Sequence, residues 1–362
     1  MIVILVVIEG YVNRHPGRFG HPWGHDWRHG SHAARREAPG CEVLCFGDSL
    51  VKQSVIPQVL EGRLGGPVYN LALGAGPPPA SYFLLRRALE AGAHPRAVLV
   101  DFIPHLLAEG PRFSEQLLPE VTSLRDCLDL GWTSADPSLF ASLALARILP
   151  TVRDRFEIRA NALGALQGLG IAASRHLLLV ASARNWRVNR GAMIAAKTNR
   201  PPGDDTPHAS ALYPDSWQCA PVNATYVRRF LDLAGSRDIQ VFLLVPPFSP
   251  EVHNRREQLG LEAQYTRFME SIQANYPNLV VIDARRSSYG PEVHADALHL
   301  DRQGAEVFSA DLADLIAQTL ADPTTLVRSY NLPPFRARSL ALAVEDTDQS
   351  MQRLGTEPRR RR

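Results

Sequence analysis

A serine and a distant histidine–aspartate pair are the residues of this chain whose types and spacing suit bond-breaking chemistry. Ser49 stands in a Gly-Asp-Ser-Leu run at 47–50, and an Asp-Ala-Leu-His run occupies 296–299. A serine hydroxyl becomes a strong nucleophile when a histidine accepts its proton, and an aspartate on the other imidazole nitrogen holds the required tautomer. The pattern therefore predicts a triad of Ser49, His299 and Asp296.

Each of the two runs is a weak signal by itself. A serine that follows a strand is often a turn residue or a helix N-cap, because its hydroxyl accepts from free backbone N–H groups. In the same way, Asp296 suits a helix cap and His299 a surface position. The two runs gain weight together, because each stands at the end of a predicted element where a parallel sheet binds its ligands.

Those elements alternate between apolar strands and amphipathic helices. Strand patterns cover 43–46, 68–73, 97–102, 240–245 and 279–282, and helical patterns cover 53–64, 81–91, 223–236, 261–275 and 302–320. Strands that are apolar throughout are typical of parallel sheets covered by helices on both faces. We therefore predict an α/β fold, a three-layer α/β/α sandwich with a central parallel five-stranded sheet.

The alternating pattern indicates one domain at 41–320, interrupted by a mostly helical insertion at 103–221. Residues 321–362 contain two adjacent prolines and end in four arginines, so we expect a loosely docked tail. The four cysteines show no zinc-ligand spacing, and we expect them to be small buried apolar residues. Neither a metal ion nor a soluble cofactor is expected.

Residues 1–40 combine an apolar start with a polar continuation. The apolar run at 1–8 is far shorter than the roughly 20 residues that span a bilayer, and it lacks the basic region and cleavage site of a signal peptide. It is either a buried or interfacial segment or the end of a membrane anchor that begins upstream, and we favour the anchor. The stretch 11–40 is rich in Gly, Pro, Arg and His. We expect an exposed linker there rather than a histidine metal site.

The net charge of the 362-residue chain is only +2, so no nucleic-acid partner is expected. The charge is uneven, however, because 140–200 holds ten basic and two acidic residues. Such a surplus suits an anionic lipid surface or an acidic polymer. A solvated helical face, with arginine stems packed on the core, is the commoner arrangement.

The runs at 47–50 and 296–299 resemble the two hallmark motifs of the GDSL, or SGNH, esterase superfamily. The resemblance covers about 42–102 and 223–320, and so includes the sheet but not the insertion. It implies a flavodoxin-like fold and ester chemistry by a serine, histidine and aspartate triad. The resemblance also extends to cell-envelope members that move acyl groups on polysaccharides and are often membrane-anchored.

The oxyanion hole of that superfamily transfers to this chain only in part. The resemblance implies backbone N–H donors at Ser49 and at a glycine after the second strand, where Gly74 and Gly76 compete and we choose Gly74. The family's third donor is an asparagine after the third strand. Here Asp101 stands in that region, and an ionised carboxylate donates no hydrogen bond. Losing one such donor typically lowers turnover about 100- to 1000-fold.

We therefore expect a serine-dependent acyl-ester hydrolase acting on an ester or an acylated carbohydrate. Two alternatives stay open. An envelope polysaccharide O-acyltransferase is indicated by the apolar start and the basic insertion, and a non-catalytic SGNH-like binding domain by the missing asparagine. The expected location is the cell envelope, with membrane attachment through the N-terminus, or otherwise the cytoplasm. The insertion leaves the third strand at the edge that carries Ser49, so we expect it to select the substrate.

Overall fold

The computed structural model of the chain describes residues 2–15, 19–21, 23–166, 173–197, 209–322, 327–338, 340 and 344–356. The strands in these segments are β1 Val43–Phe46, β2 Val68–Asn70, β3 Ala97–Asp101, β4 Gln240–Val245, β5 Leu279–Asp283 and β6 Ser329–Asn331. The helices are α1 Ile2–Arg14, α2 Gly24–Arg36, α3 Ser49–Ser54, α4 Pro57–Leu64, α5 Pro78–Glu90, α6 Pro104–Ala108, α7 Leu118–Val121, α8 Leu124–Thr133, α9 Pro137–Ile148, α10 Pro150–Arg153, α11 Arg155–Leu166, α12 Ala173–Val188, α13 Ala209–Leu212, α14 Pro221–Gly235, α15 Pro250–Gln258, α16 Leu261–Gln273, α17 Arg302–Ala321 and α18 Thr347–Thr356.

The strands form one parallel sheet in the order β2-β1-β3-β4-β5-β6. This confirms the prediction of an α/β fold on a parallel sheet, but the sheet has six strands rather than five. The additional strand, β6, pairs in parallel with β5 and lies in the C-terminal tail. Its three residues, Ser-Tyr-Asn, contain no apolar run that would reveal a strand in the sequence.

The central strands are apolar throughout because helices cover both faces of the sheet. On β1, Leu44 and Phe46 belong to one apolar cluster, which α5, α14 and α16 complete. Val43 and Cys45 belong to a second cluster, completed by α4 and α17. Alternating side chains of one strand thus enter opposite cores, as the period of a strand requires. This layering is consistent with a three-layer α/β/α fold.

The expectation of an exposed linker over 11–40 is wrong for helix α2. Trp27 and Ala34 on this helix are fully buried, and the helix packs against α5 and α7. Gly30 allows a close approach, because a Cβ there would lie 2.7 Å from Leu73 Cδ2. The composition concealed this helix, since small residues rather than large apolar ones form much of its buried face.

The described parts of the insertion at 103–221 are mostly helical, as predicted, and contain the helices α6 to α13. The expectation of a loose tail is wrong for 344–356. The side-chain amides of Asn185 and Asn189 on the insertion donate to Glu345 O at 2.8 and 2.7 Å. Arg184 also pairs with the Glu345 carboxylate at 2.8 Å. The four terminal arginines at 359–362 lie outside the described residues.

The apolar start of the chain forms the first turns of α1. This helix is attached through Glu9, whose carboxylate accepts from the Thr151 N–H on α10 at 2.8 Å. Among the helices that the structure describes, none is both long enough and apolar enough to cross a membrane.

Candidate active site

The structure brings Ser49, His299 and Asp296 together at the carboxyl edge of the sheet. Ser49 begins α3, three residues after the last residue of β1, and its Oγ lies 2.8 Å from His299 Nε2. The other ring nitrogen, Nδ1, lies 2.8 and 2.9 Å from the two Asp296 carboxylate oxygens. The three side chains therefore form a continuous hydrogen-bonded relay.

The loop that carries Asp296 and His299 is closed on itself. His294 and Leu300 form an antiparallel bridge across it, and Asp296 Oδ1 accepts from the N–H groups of Leu298 and His299 at 2.8 and 2.9 Å. The Asp296 side chain is 58% exposed, and its partial desolvation alone would raise the pKa of the carboxyl. The hydrogen bond and charge of His299, together with those two N–H groups, lower it to about 2. Asp296 is therefore an anion at neutral pH and an acceptor for the imidazole N–H.

The turn before Ser49 depends on a glycine. Gly47 has φ +117°, in the region that favours glycine, and a Cβ there would overlap Asp101 Oδ1. The same Asp101 oxygen accepts from the Asp48 N–H at 2.8 Å. Asp48 Oδ1 in turn accepts from the Leu50 N–H at 2.7 Å and caps α3. These contacts set the position of Ser49 relative to the end of β3.

Asp48 and Asp101 form a buried carboxyl pair beneath the nucleophile. Burial raises the pKa of Asp48 well above its usual range, and the charge of Asp101 raises it further. Burial also raises the pKa of Asp101, to about 6. Two adjacent carboxylates without a counter-ion favour sharing one proton. Asp101 thus supports the serine turn from the region where the resemblance implies an oxyanion donor.

The backbone N–H of Gly74 is already occupied. It donates to Asp26 Oδ2 at 2.8 Å, and the Gly74 carbonyl accepts from Trp27 Nε1 at 2.9 Å. The competing glycine, Gly76, donates to Leu73 O at 3.0 Å. The hydrogen bond to Asp26 on helix α2 therefore argues against Gly74 as an oxyanion donor, because its N–H already has an acceptor within the protein.

Ala75, between those two glycines, is the better candidate for the second donor. Within the described part of the chain, the N–H groups of Ser49 and Ala75 donate to no other residue. Ala75 has φ +52°, and its turn lies against the serine turn, since a Cβ on Gly76 would lie 2.7 Å from Gly47 O. Sequence reasoning missed Ala75 because nothing in an Ala-Gly-rich turn reveals which peptide N–H remains free.

A buried ion pair connects α2 to the helix of the nucleophile. Lys52 Nζ lies 2.6 Å from Asp26 Oδ1, and their side chains are only 3% and 8% exposed. Lys52 also donates to the carbonyls of Ala72 and Gly191 at 3.0 and 3.1 Å. Asp26 thereby bridges the nucleophile helix and the Gly74 turn. Sequence reasoning missed this pair, because Asp26 lay in the expected linker.

An apolar cluster adjoins the triad. It consists of Leu50, Ile103, Leu106, Phe248 and Val252, with Tyr213, Ala297 and Leu298 packed against it. Leu50 follows the nucleophile directly, and Ala297 and Leu298 lie between the triad aspartate and histidine. Ile103, Leu106 and Tyr213 come from the insertion, so part of the insertion lies beside the triad.

The described residues contain no group of three or more histidine, cysteine or acidic side chains arranged to hold a metal ion. His29 on α2 is instead half-buried within the protein. Burial, helped by the charge of Lys52, lowers the pKa of His29 to about 4, and its Nε2 lies 3.0 Å from the Tyr69 hydroxyl.

All four cysteines are free; Cys45 and Cys127 are buried, whereas Cys41 and Cys219 are partly exposed.

Comparison with known proteins yields no assignment, because no protein-family model and no curated protein matches the chain.

Proposed function

We propose that this protein is a serine-dependent acyl-ester hydrolase with Ser49 as nucleophile, His299 as general base and Asp296 as the group that orients the imidazole. The observation that carries the proposal is the hydrogen-bonded relay, with Ser49 Oγ 2.8 Å from His299 Nε2 and Asp296 on Nδ1. The strand order, which begins β2-β1-β3-β4-β5, is that of flavodoxin-like folds. This order supports membership of the GDSL/SGNH superfamily as part of the proposal.

The reaction follows from the arrangement of donors and acceptors. The imidazole of His299 carries its proton on Nδ1, where it is directed at Asp296. The free Nε2 can therefore accept the Ser49 proton while Oγ attacks the ester carbonyl carbon. The N–H groups of Ser49 and Ala75 stabilise the resulting oxyanion. Collapse of the intermediate breaks the ester C–O bond, and the leaving alcohol takes the proton from His299. Water then attacks the acyl-enzyme in the same manner and releases the acid.

The apolar cluster beside the triad supports an acyl group as the part of the substrate that the protein holds. Leu50 and Leu298 flank the triad residues, and both belong to or pack on this cluster. An O-acyltransferase would use the same acyl-enzyme and differ only in accepting a sugar hydroxyl instead of water. Transfer to an envelope polysaccharide is therefore the second candidate function.

The test is covalent labelling by a fluorophosphonate probe together with hydrolysis of p-nitrophenyl acetate. We expect the wild-type chain to react in both assays and the Ser49→Ala variant to react in neither. The hydrolysis rate should fall by about 1000-fold or more, because the attacking oxygen is lost. The matched control is Ser271→Ala, an exposed serine on α16 whose hydroxyl bonds only locally. Wild-type rates in Ser49→Ala would refute the assignment of the nucleophile.

A second assay separates the hydrolase from the transferase. With acetylated and unacetylated polysaccharide both present, a hydrolase releases acetate at a rate that the acceptor does not change. A transferase instead moves the acetyl group to the acceptor and releases less acetate. A wild-type chain that neither labels nor turns over would favour the non-catalytic alternative.

A further inference from the structure

Helix α1 exposes apolar side chains around its whole circumference. The six consecutive residues Val3–Ile8 are each between 46% and 75% exposed. Successive helical residues are rotated by about 100°, so six of them point in every direction around the axis. A groove or a partner helix would cover only one stripe of such a helix. Whatever covers these residues must therefore surround the helix.

The helices around the attachment point of α1 expose further apolar residues. Helix α10, which holds Glu9 through Thr151, contacts α1, α9 and α11. We define the apolar corner as the large exposed apolar residues of α1, α9 and α11, which are Val3, Ile4, Leu5, Val6, Val7, Ile8, Tyr11, Leu145, Ile148, Phe156, Leu163 and Leu166. These twelve are the majority of the twenty large apolar side chains exposed in the described part of the chain. Apolar exposure is thus concentrated on the three helices that contact α10 rather than spread evenly over the described residues, which marks an interaction surface.

Basic side chains accompany the apolar corner. Arg14 ends α1, Arg155 and Arg159 lie on α11, and all three are exposed. The Arg155 guanidinium stacks over the Phe156 ring, with 4.5 Å between the charge centre and the ring centroid. Arginines beside an exposed apolar surface are typical of proteins that insert into a membrane interface, because anionic headgroups lie next to the acyl region.

We propose that the apolar corner docks on a lipid bilayer that contains anionic lipid, with Val3–Ile8 in the acyl region and the three arginines among the headgroups. These six helical residues extend about 9 Å, which is less than one leaflet of a hydrocarbon core about 30 Å thick. A bilayer surrounds an inserted helix on all sides, as the exposure of α1 requires. This inference does not depend on the proposed ester chemistry.

The test is co-sedimentation of the full chain with vesicles of phosphatidylcholine containing about one-third phosphatidylglycerol. We expect Leu5→Asp/Val7→Asp to bind at least about tenfold more weakly than wild type, because charged groups replace inserted apolar ones. The matched control is Leu259→Asp/Val327→Asp, which carries the same charges at residues that are 47% and 46% exposed outside the apolar corner. The control should bind like wild type.

Two further variants separate lipid docking from ester chemistry and from self-association. Arg155→Gln/Arg159→Gln should lose most of the preference for anionic over pure phosphatidylcholine vesicles, and Ser49→Ala should bind like wild type whether or not the chain is an esterase. Failure of the wild-type chain to bind vesicles, or equal loss in the Leu259→Asp/Val327→Asp control, would overturn the proposal. So would a lipid-free dimer that Leu5→Asp/Val7→Asp dissociates, since the occupant would then be a second copy of the chain.

Discussion

At the residue scale, the candidate site combines carboxyl groups whose pKa values are shifted in opposite directions. The Asp296 carboxyl has its pKa lowered to about 2 and stays ionised beside His299. The Asp48–Asp101 pair is buried and forms no ion pair within the described residues, and burial raises the pKa of both carboxyls. The environment thus keeps one carboxylate charged for the triad and favours a retained proton in the pair that supports the serine turn.

The carboxyl pair makes the stability of the protein depend on pH. The unfolded chain loses the Asp101 proton near its ordinary pKa, whereas the native chain keeps it up to about pH 6. The native state therefore binds more protons above about pH 4, and the free energy of unfolding falls as the pH rises. The Asp101 part of this fall ends near pH 6, whereas the part due to Asp48 extends above it, because the pKa of Asp48 is also well above its usual range. In Asp101→Asn the amide oxygen can still accept from the Asp48 N–H. We expect this variant to lose the Asp101 part of the slope, between about pH 4 and 6, to keep most of the part due to the burial of Asp48, and to gain stability on the order of 2 kcal/mol above pH 7.

Urea unfolding measured from pH 4 to 8 checks this prediction. The control is Asp314→Asn, which removes a solvent-exposed ion pair with Arg63 and should change stability by less than about 1 kcal/mol. An Asp101→Asn variant that keeps the wild-type slope between pH 4 and 6 would show that Asp101 retains no proton in the native state.

The Asp26–Lys52 pair leads to a second prediction at this scale. Lys52→Met leaves the buried Asp26 carboxylate without its cation and should destabilise the protein by about 3–5 kcal/mol. Adding Asp26→Asn removes the uncompensated negative charge of the buried carboxylate and keeps an oxygen that can accept from the Gly74 N–H. We therefore expect Lys52→Met/Asp26→Asn to recover at least half of the lost stability. A double variant whose loss equals the sum of the two single losses would mean that the two side chains are not coupled.

At the element scale, two segments outside the alternating pattern shape the site. Helix α2 binds both backbone polar groups of Gly74, since Asp26 accepts from its N–H and Trp27 donates to its carbonyl oxygen. The insertion contributes Ile103, Leu106 and Tyr213 to the apolar cluster. The sheet thus supplies the edge on which the triad stands. The added elements supply the surroundings that would contact a substrate.

The insertion should influence which acyl group is accepted. Tyr213 is only partly buried against the apolar cluster, so Tyr213→Ala enlarges the space beside the triad without removing a core residue. We expect kcat/KM for p-nitrophenyl hexanoate to change by about fivefold or more relative to the acetate ester, since burial of each acyl methylene contributes about 0.8 kcal/mol. The control is Phe113→Ala in the same insertion, at a ring that is 42% exposed and outside that cluster. Equal changes for both esters would make Tyr213 a structural residue only.

At the scale of the whole molecule, the C-terminal tail completes the fold. Strand β6 covers the edge of β5, and Glu345 receives hydrogen bonds from Asn185 and Asn189, so the tail joins the sheet to the insertion. A chain that ends at Asp322 loses both sets of contacts. We expect its Tm to fall by about 5 °C or more, while any hydrolysis of p-nitrophenyl acetate persists at low temperature. Calorimetry of this chain, beside one that ends at Thr356 and keeps the described tail, checks the prediction; equal Tm values would contradict it.

The local sequence by itself determined the parallel sheet and the three residues of the relay. Buried parallel strands are apolar throughout, and motif position relative to those strands identified Ser49, Asp296 and His299. The contacts of Asp26, Lys52 and β6 were decided only by the tertiary structure. Each depends on a contact between segments far apart in the chain: a carboxylate from α2 on the Gly74 N–H, a lysine neutralised across the core, and three polar residues paired with β5. Local patterns carry periodicity and turn chemistry, but they do not record which distant partner satisfies a buried polar group.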